Sequence, residues 1–147
     1  MMNLHKPLVL AFVFVVSFTA FSQDEKEAPK SFMEITSFPV APGCDADQSQ
    51  DEIMKCFQTF VSRHISENFE YPEDAREGGL EGRVWLRFIV EADGSISNVE
   101  VVRTSGVASI DAEGVRVLQS LPKLSAPGYL DGRAVRMQYS IPINARI

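Results

Sequence analysis

The run "RVWLRFIVEADGSISNVEVV", Arg83 to Val102, constrains the fold more than any other stretch of the chain. Val84, Leu86, Phe88 and Val90 fall on one side and Arg83, Trp85, Arg87 and Ile89 on the other, the period of two that a strand with one buried face requires. Asp93-Gly94 supplies the backbone freedom of a tight hairpin, and "SISNVEVVR" follows as a second strand. A lone hairpin is marginal in water, so the flanking chain must cover its apolar side. Downstream, Ile110, Gly114, Val117, Leu118 and Leu121 share one helical face, with Ser109 as the expected cap and Pro122 as the stop. "RAVRMQYSIPINARI" then alternates again, with Val135, Met137, Tyr139, Ile141 and Ile143 on one side and Arg136, Gln138 and Ser140 on the other.

Connection rules turn these elements into a topology. A helical crossover returns the chain parallel to the second strand, so the third strand pairs antiparallel with the first and the sheet order is 2-1-3. The third strand is then an edge, a place that tolerates Pro142, and an edge strand is either protected or used. The expected fold class is α+β: a three-stranded antiparallel sheet with helices on one face, preceded by an extra N-terminal helix.

That N-terminal helix starts at the capping box "SQDE", Ser49 with Glu52, and runs to Asn68 with Ile53, Cys56, Phe57, Phe60, Val61, His64 and Ile65 on one stripe. His64 lies within the stripe with no serine, cysteine or carboxylate placed by sequence to work with it, and is read as a core or boundary residue. Pro72 opens a second, short helix, and Gly78 or Gly79 can take its left-handed cap. Trp85, out of phase with its apolar neighbours, is expected to pack under a helix, with an exposed contact as the alternative.

Ahead of these elements the chain has a different character. His5 and Lys6 lead into an apolar run of 14 residues, Leu8 to Phe21, with small residues at Ala20 and Ser22. As a helix the run would reach about 21 Å, short of a hydrocarbon core about 30 Å thick, so residues 1–22 are expected to be a cleaved signal peptide, with an uncleaved inner-membrane anchor as the alternative. Residues 23–48, with Pro29, Pro39 and Pro42, read as an extended leader, and residues 49–147 as one domain, with the helix over 49–69 and a core over 71–147. In an exported chain the two cysteines are most simply a disulfide, Cys44 to Cys56, worth roughly 3 kcal/mol for a loop of this size. A buried free thiol at Cys56 is the alternative.

Charge narrows the partners. Residues 24–81 carry a net −9 and residues 82–147 a net +2 with single, scattered bases, so neither part suits nucleic acid. No nucleophile with a base, no metal-ligand cluster and no phosphate-binding loop is legible, since "GGLEG" precedes a strand instead of opening a helix. The reading is therefore of a chain that is not an enzyme and takes no cofactor, metal or small-molecule substrate.

Tyr71, Pro72, Ala75, Gly79, Gly82, Val84, Phe88, Val90, Asp93-Gly94, Ile96, Val99, Val101, Ser105-Gly106, Asp111, Pro127-Gly128, Gly132 and the terminal "IPI" of Ile141–Ile143 follow one another in an order that resembles the C-terminal domain of TonB, in the variant of exported Bacteroidetes-type proteins. The resemblance covers about Tyr71 to Ile147. It implies a binding module that captures an extended segment, the TonB box, of an outer-membrane TonB-dependent receptor by strand addition, in the service of transmembrane transport and energy transduction. Carried onto this sequence, the receiving edge is Val135, Arg136, Met137, Gln138, Tyr139, Ser140 and Ile141, with Asn68, Tyr71 and Pro72 as a flank. A homodimer through the same edge, as a structural or regulatory module, is the alternative, and the expected location is the periplasm. The resemblance departs from transport-driving TonB proteins at the N-terminus, where a membrane anchor and a long proline-rich spacer are expected and a short segment with few prolines stands instead.

Overall fold

The computed structural model describes residues 26–147; the expected signal peptide and the first three residues of the leader lie outside the described residues. Nine elements follow in order: β1 (Lys30–Ser31), α1 (Gln50–Asn68), α2 (Glu73–Glu77), β2 (Gly82–Val90), β3 (Ile96–Arg103), α3 (Ala108–Gln119), β4 (Gly128–Leu130), β5 (Arg133–Val135) and β6 (Met137–Ala145). The main sheet has the order β1-β6-β2-β3, and β4 and β5 form a separate hairpin. The expected three-stranded arrangement is therefore the part β3-β2-β6, antiparallel throughout, to which β1 adds a fourth, two-residue strand running parallel to β6.

Local chemistry accounts for the elements. Ser49 and Glu52 make the reciprocal capping box at the start of α1, which buries Ile53, Phe57 and Val61. Pro72 precedes α2, and Gly79 (φ +62°) lets the Leu80 amide reach back to the Ala75 carbonyl at 2.8 Å. In the β2–β3 turn Asp93 accepts from the Ser95 amide at 2.9 Å while Gly94 takes φ +86°. One cap differs from expectation. The residue before α3 is Val107, and Ser109 lies inside the helix with its hydroxyl buried and without a partner. Asp111 instead reaches back to the loop, accepting from the Ser105 amide and hydroxyl and from Thr104.

Val84, Leu86, Phe88 and Val90 of β2 are fully buried beneath the helices with Met137, Ile141 and Ile143 of β6 and Ile110, Val117 and Leu118 of α3. Gly114 lets α3 approach closely: a Cβ there would stand 3.1 Å from Leu86. Phe57 of α1 meets Tyr139 of β6 edge-on at 5.1 Å, which seats α1 beneath the β6 side of the sheet. His64 is the boundary residue the stripe implied, bonding Ser120 Oγ at 2.9 Å and the Val117 carbonyl at 3.1 Å. Trp85 is on the other face of the sheet, half-buried and directly across from Pro142, so it does not pack under a helix.

The leader divides into two parts. Ile35, Val40 and Ala41 are buried, Ser37 and Val40 bridge to Tyr129 and Ala126, and Cys44 is joined to Cys56 of α1 with their Cα atoms 6.0 Å apart. Residues 26–33 have a lighter hold, β1 and a few side chains, and Met33 is 87% exposed. Among the described residues no helix is long and apolar enough to cross a membrane.

Candidate functional site

The edge of β6 is built by its pairing with β2. Nine consecutive residues, Met137 to Ala145, face Val90 to Gly82 without a break in register. Successive residues of a strand direct their N–H and C=O groups to opposite sides, and Pro142, having no N–H, must stand where none is needed by β2. The even-numbered residues Gln138, Ser140, Pro142 and Asn144 therefore turn their backbone groups outward. On that outer side β1 pairs with Met137 and Gln138, and the Lys30 amide donates to the Arg136 carbonyl at 2.7 Å. Beyond Gln138, no strand among the described residues pairs with the outer side.

Beside this open stretch lies a groove of about 360 Å³. Ile65, Ser66, Phe69 and Tyr71, from the end of α1 and the segment after it, form one wall, and Ile141–Arg146 of the β6 edge forms the other. Tyr71 is fixed there by its hydroxyl, which donates to the Leu80 carbonyl, and by an edge-on contact with Phe69 at 6.2 Å. A backbone edge beside an apolar trough is the arrangement that strand addition uses, main-chain bonds for affinity and a seat for alternate side chains for selectivity.

The residues expected to form the receiving edge are distributed over two strands. Met137, Gln138, Tyr139, Ser140 and Ile141 belong to β6, but Val135 is the last residue of β5 and pairs with Gly128. The alternation from Arg133 to Ile143 conceals this break, which comes from the turn at Asp131 (φ +50°) and Gly132 (φ +81°) that folds β5 back on β4. Arg136 is not an outward, solvated residue. Its side chain is 12% exposed and pairs with Glu91 at 2.8 Å, while also donating to the Glu27 carbonyl at 2.9 Å. Of the expected flank, Tyr71 lines the groove. Asn68 is occupied with His64 and, through its carbonyl, with Arg116, and the Pro72 carbonyl accepts from the Arg76 amide. Phe69 and Ile143–Arg146 line the same groove and were not among the expected residues. The continuation of the "IPIN" alternation past Ile141 was the available signal.

Glu91, at the end of β2, is the one charged residue buried among the described residues and the hub of the β1 attachment. Burial works to raise its pKa, yet hydrogen bonds from Arg136, Ser97 and Lys26 outweigh that and hold it down at about 2. It is therefore ionised at neutral pH and fixes Arg136 in place. Burial raises the pKa of the Tyr139 phenol, on the inward side of β6. Among the described residues no cluster of histidine, cysteine or carboxylate is arranged to hold a metal ion.

Comparison with known proteins gives this arrangement its context. The chain is 35% identical over 78 residues to Protein TonB of Pseudomonas putida, a match that covers 51% of this chain and 32% of the relative, so about a third of that protein's length is represented. The fold is similar to the solution structure of the Helicobacter pylori TonB C-terminal domain, with a TM-score of 0.50 at 22% identity, over 72% of this chain and 86% of the other. Residues 67–146, more than half of the chain, match the family described as the C-terminal of the Gram-negative bacterial TonB protein, and the chain belongs to that family.

Proposed function

We propose that this chain is a periplasmic binding module that takes up an extended segment of an outer-membrane TonB-dependent receptor as an added strand on the outer edge of β6. The observation that carries the reading is the conjunction of an unpaired backbone from Ser140 to Asn144 with the Ile65–Phe69–Tyr71 groove beside it. Ser140 and Asn144 offer outward amides, and the carbonyls of Ser140, Pro142 and Asn144 offer acceptors. The occupied edge thus lies further toward the C-terminus than the stretch Val135–Ile141. Membership of the TonB C-terminal family supports the kind of partner, and the Cys44–Cys56 bridge supports an oxidising compartment outside the cytoplasm. A role in receptor-linked transport follows from this binding; no enzymatic step is required of any residue.

The test is titration of the chain with synthetic peptides taken from the N-terminal segments of outer-membrane receptors, alongside Ser140→Pro. That substitution removes an outward donor which β2 does not use, so the protein should keep its fold and bind about ten-fold more weakly, the loss of one main-chain hydrogen bond. Peptides that do not bind the parent chain, or that bind the proline variant equally well, would exclude the reading. Concentration-dependent dimers lost in the same variant would favour self-association through the edge instead.

A further inference from the structure

The leader strand β1 already occupies part of the edge to which a partner strand would be added. We infer that residues 26–33 are an intramolecular latch that competes with the incoming strand, an inference that rests on the strand-addition reading. β1 runs parallel to β6, pairing Lys30 with Met137 and Ser31 with Gln138. The next residue, Phe32, enters the aromatic cluster, 4.9 Å from Phe38 and 5.3 Å from Tyr139. The edge is thereby shown to accept a parallel strand with an aromatic residue behind it, and the segment that does so belongs to the chain itself.

Pro142 makes the competition matter. Between Ser140 and Asn144 a partner finds two outward amides, because the residue in the middle has none. Displacing β1 frees the Arg136 carbonyl and, by the parallel pairing at Lys30–Met137 and Ser31–Gln138, the Gln138 amide, so a partner that continues along the strand gains bonding groups only if the latch opens.

The attachment is suited to opening. Apart from the Lys30 backbone bond and Phe32, the latch is held by Lys26 with Glu91 at 2.9 Å, the Glu27 carbonyl with Arg136, and Glu27 with Arg133 at 3.1 Å. Glu27 and Arg133 are both substantially exposed, and such a pair contributes little; Lys26 is 63% exposed and adds to a Glu91 that Arg136 and Ser97 hold without it. From Ile35 onward the leader is held by buried side chains, two bridges and the disulfide, so residues 26–33 can leave while the remainder stays docked.

The experiment uses the otherwise intact chain and the double variant Lys30→Pro with Phe32→Ala, which removes the backbone donor and the aromatic anchor. The probe is a synthetic peptide of this chain's own residues 26–34, KEAPKSFME. In the parent, the Gln138 amide should exchange slowly with solvent; in the variant it should exchange fast while the Phe88 amide, in β2, stays slow and reports an intact sheet. The peptide should bind the variant about ten-fold more tightly than the parent, since a competing closed state multiplies apparent affinity by the open fraction, and should restore slow exchange at Gln138. Lys30→Pro alone, expected to shift in the same direction by less, stands in should the double variant unfold. Equal binding to parent and variants would overturn the latch. A parent chain that loses Gln138 protection on dilution as dimers dissociate would overturn it too, because the leader would then sit on a second copy. If receptor peptides bind none of these proteins while KEAPKSFME still restores protection, the proposed function fails and the latch stands.

Discussion

Glu91 and Gly94, three residues apart, show how much of the molecule depends on single positions around the first hairpin. The Glu91 pKa falls from the usual 4.5 to about 2. A carboxylate depressed in the folded state adds stability that is fully present above the unfolded pKa and is lost as pH falls through the folded one, so its contribution of roughly 3 kcal/mol should disappear between about pH 4.5 and 2. Glu91→Gln should therefore lower the melting temperature at pH 7 more than at pH 3, with Arg136 left without its anion; equal losses at both pH values would show that the pair is not coupled to folding. Gly94 has a different constraint. Any side chain there must adopt φ +86° and bring its Cβ to 2.8 Å from the Leu124 carbonyl oxygen, which itself belongs to the residue whose amide donates to the Gly94 carbonyl. Gly94→Ala should cost about 2 kcal/mol in chemical denaturation. The glycine was legible in the sequence as a turn residue, whereas the ion pair of Glu91 with Arg136 was not, because it joins residues 45 positions apart. Local alternation carries no information about it.

At the level of elements, β2 and β6 differ in what a proline does to them. Arg87 is paired on both sides, with Glu100 of β3 and Ser140 of β6, so Arg87→Pro should abolish folding, visible as loss of the far-ultraviolet signal of the sheet, while Ser140→Pro leaves it. The disulfide acts at the same scale. Replacing Cys44 and Cys56 together by serine should lower stability by about 3 kcal/mol, read by urea denaturation of the parent with and without reductant, and leave the sheet in place. Both strands of the hairpin, α1 with its capping box and α3 were legible because each announces itself within its own span by a period of two or of 3.6. β1 was not, since two residues have no period and a parallel partner over a hundred positions away leaves no local mark. The division of the last alternating run into β5 and β6 was hidden for the opposite reason: the alternation continues through Arg136 although the chain changes partner there. The candidate site moved along β6 with that division, from the stretch before Ile141 to the stretch around it.

For the whole molecule, location is the property to be checked first. The protein isolated from its native cell should begin at Gln23 and release with the soluble periplasmic contents; N-terminal sequencing that finds residues 1–22 in a membrane fraction would return the chain to an anchored arrangement. The position of β2 at the centre of the sheet, noted as a matter of strand order, also governs when the molecule can form. Its two neighbours come from different times in synthesis: β3 follows it at once, but β6 comes after every other described element. Until β6 arrives, β2 and β3 form only a hairpin with α3 against it, its inner edge bare, and Phe57 of α1 lacks the Tyr139 ring it meets in the finished fold. A nascent chain arrested before Met137 should thus remain open to proteases along its length. The strand proposed to receive the partner is the same one that closes the sheet, so a copy unable to complete its fold has no edge to offer.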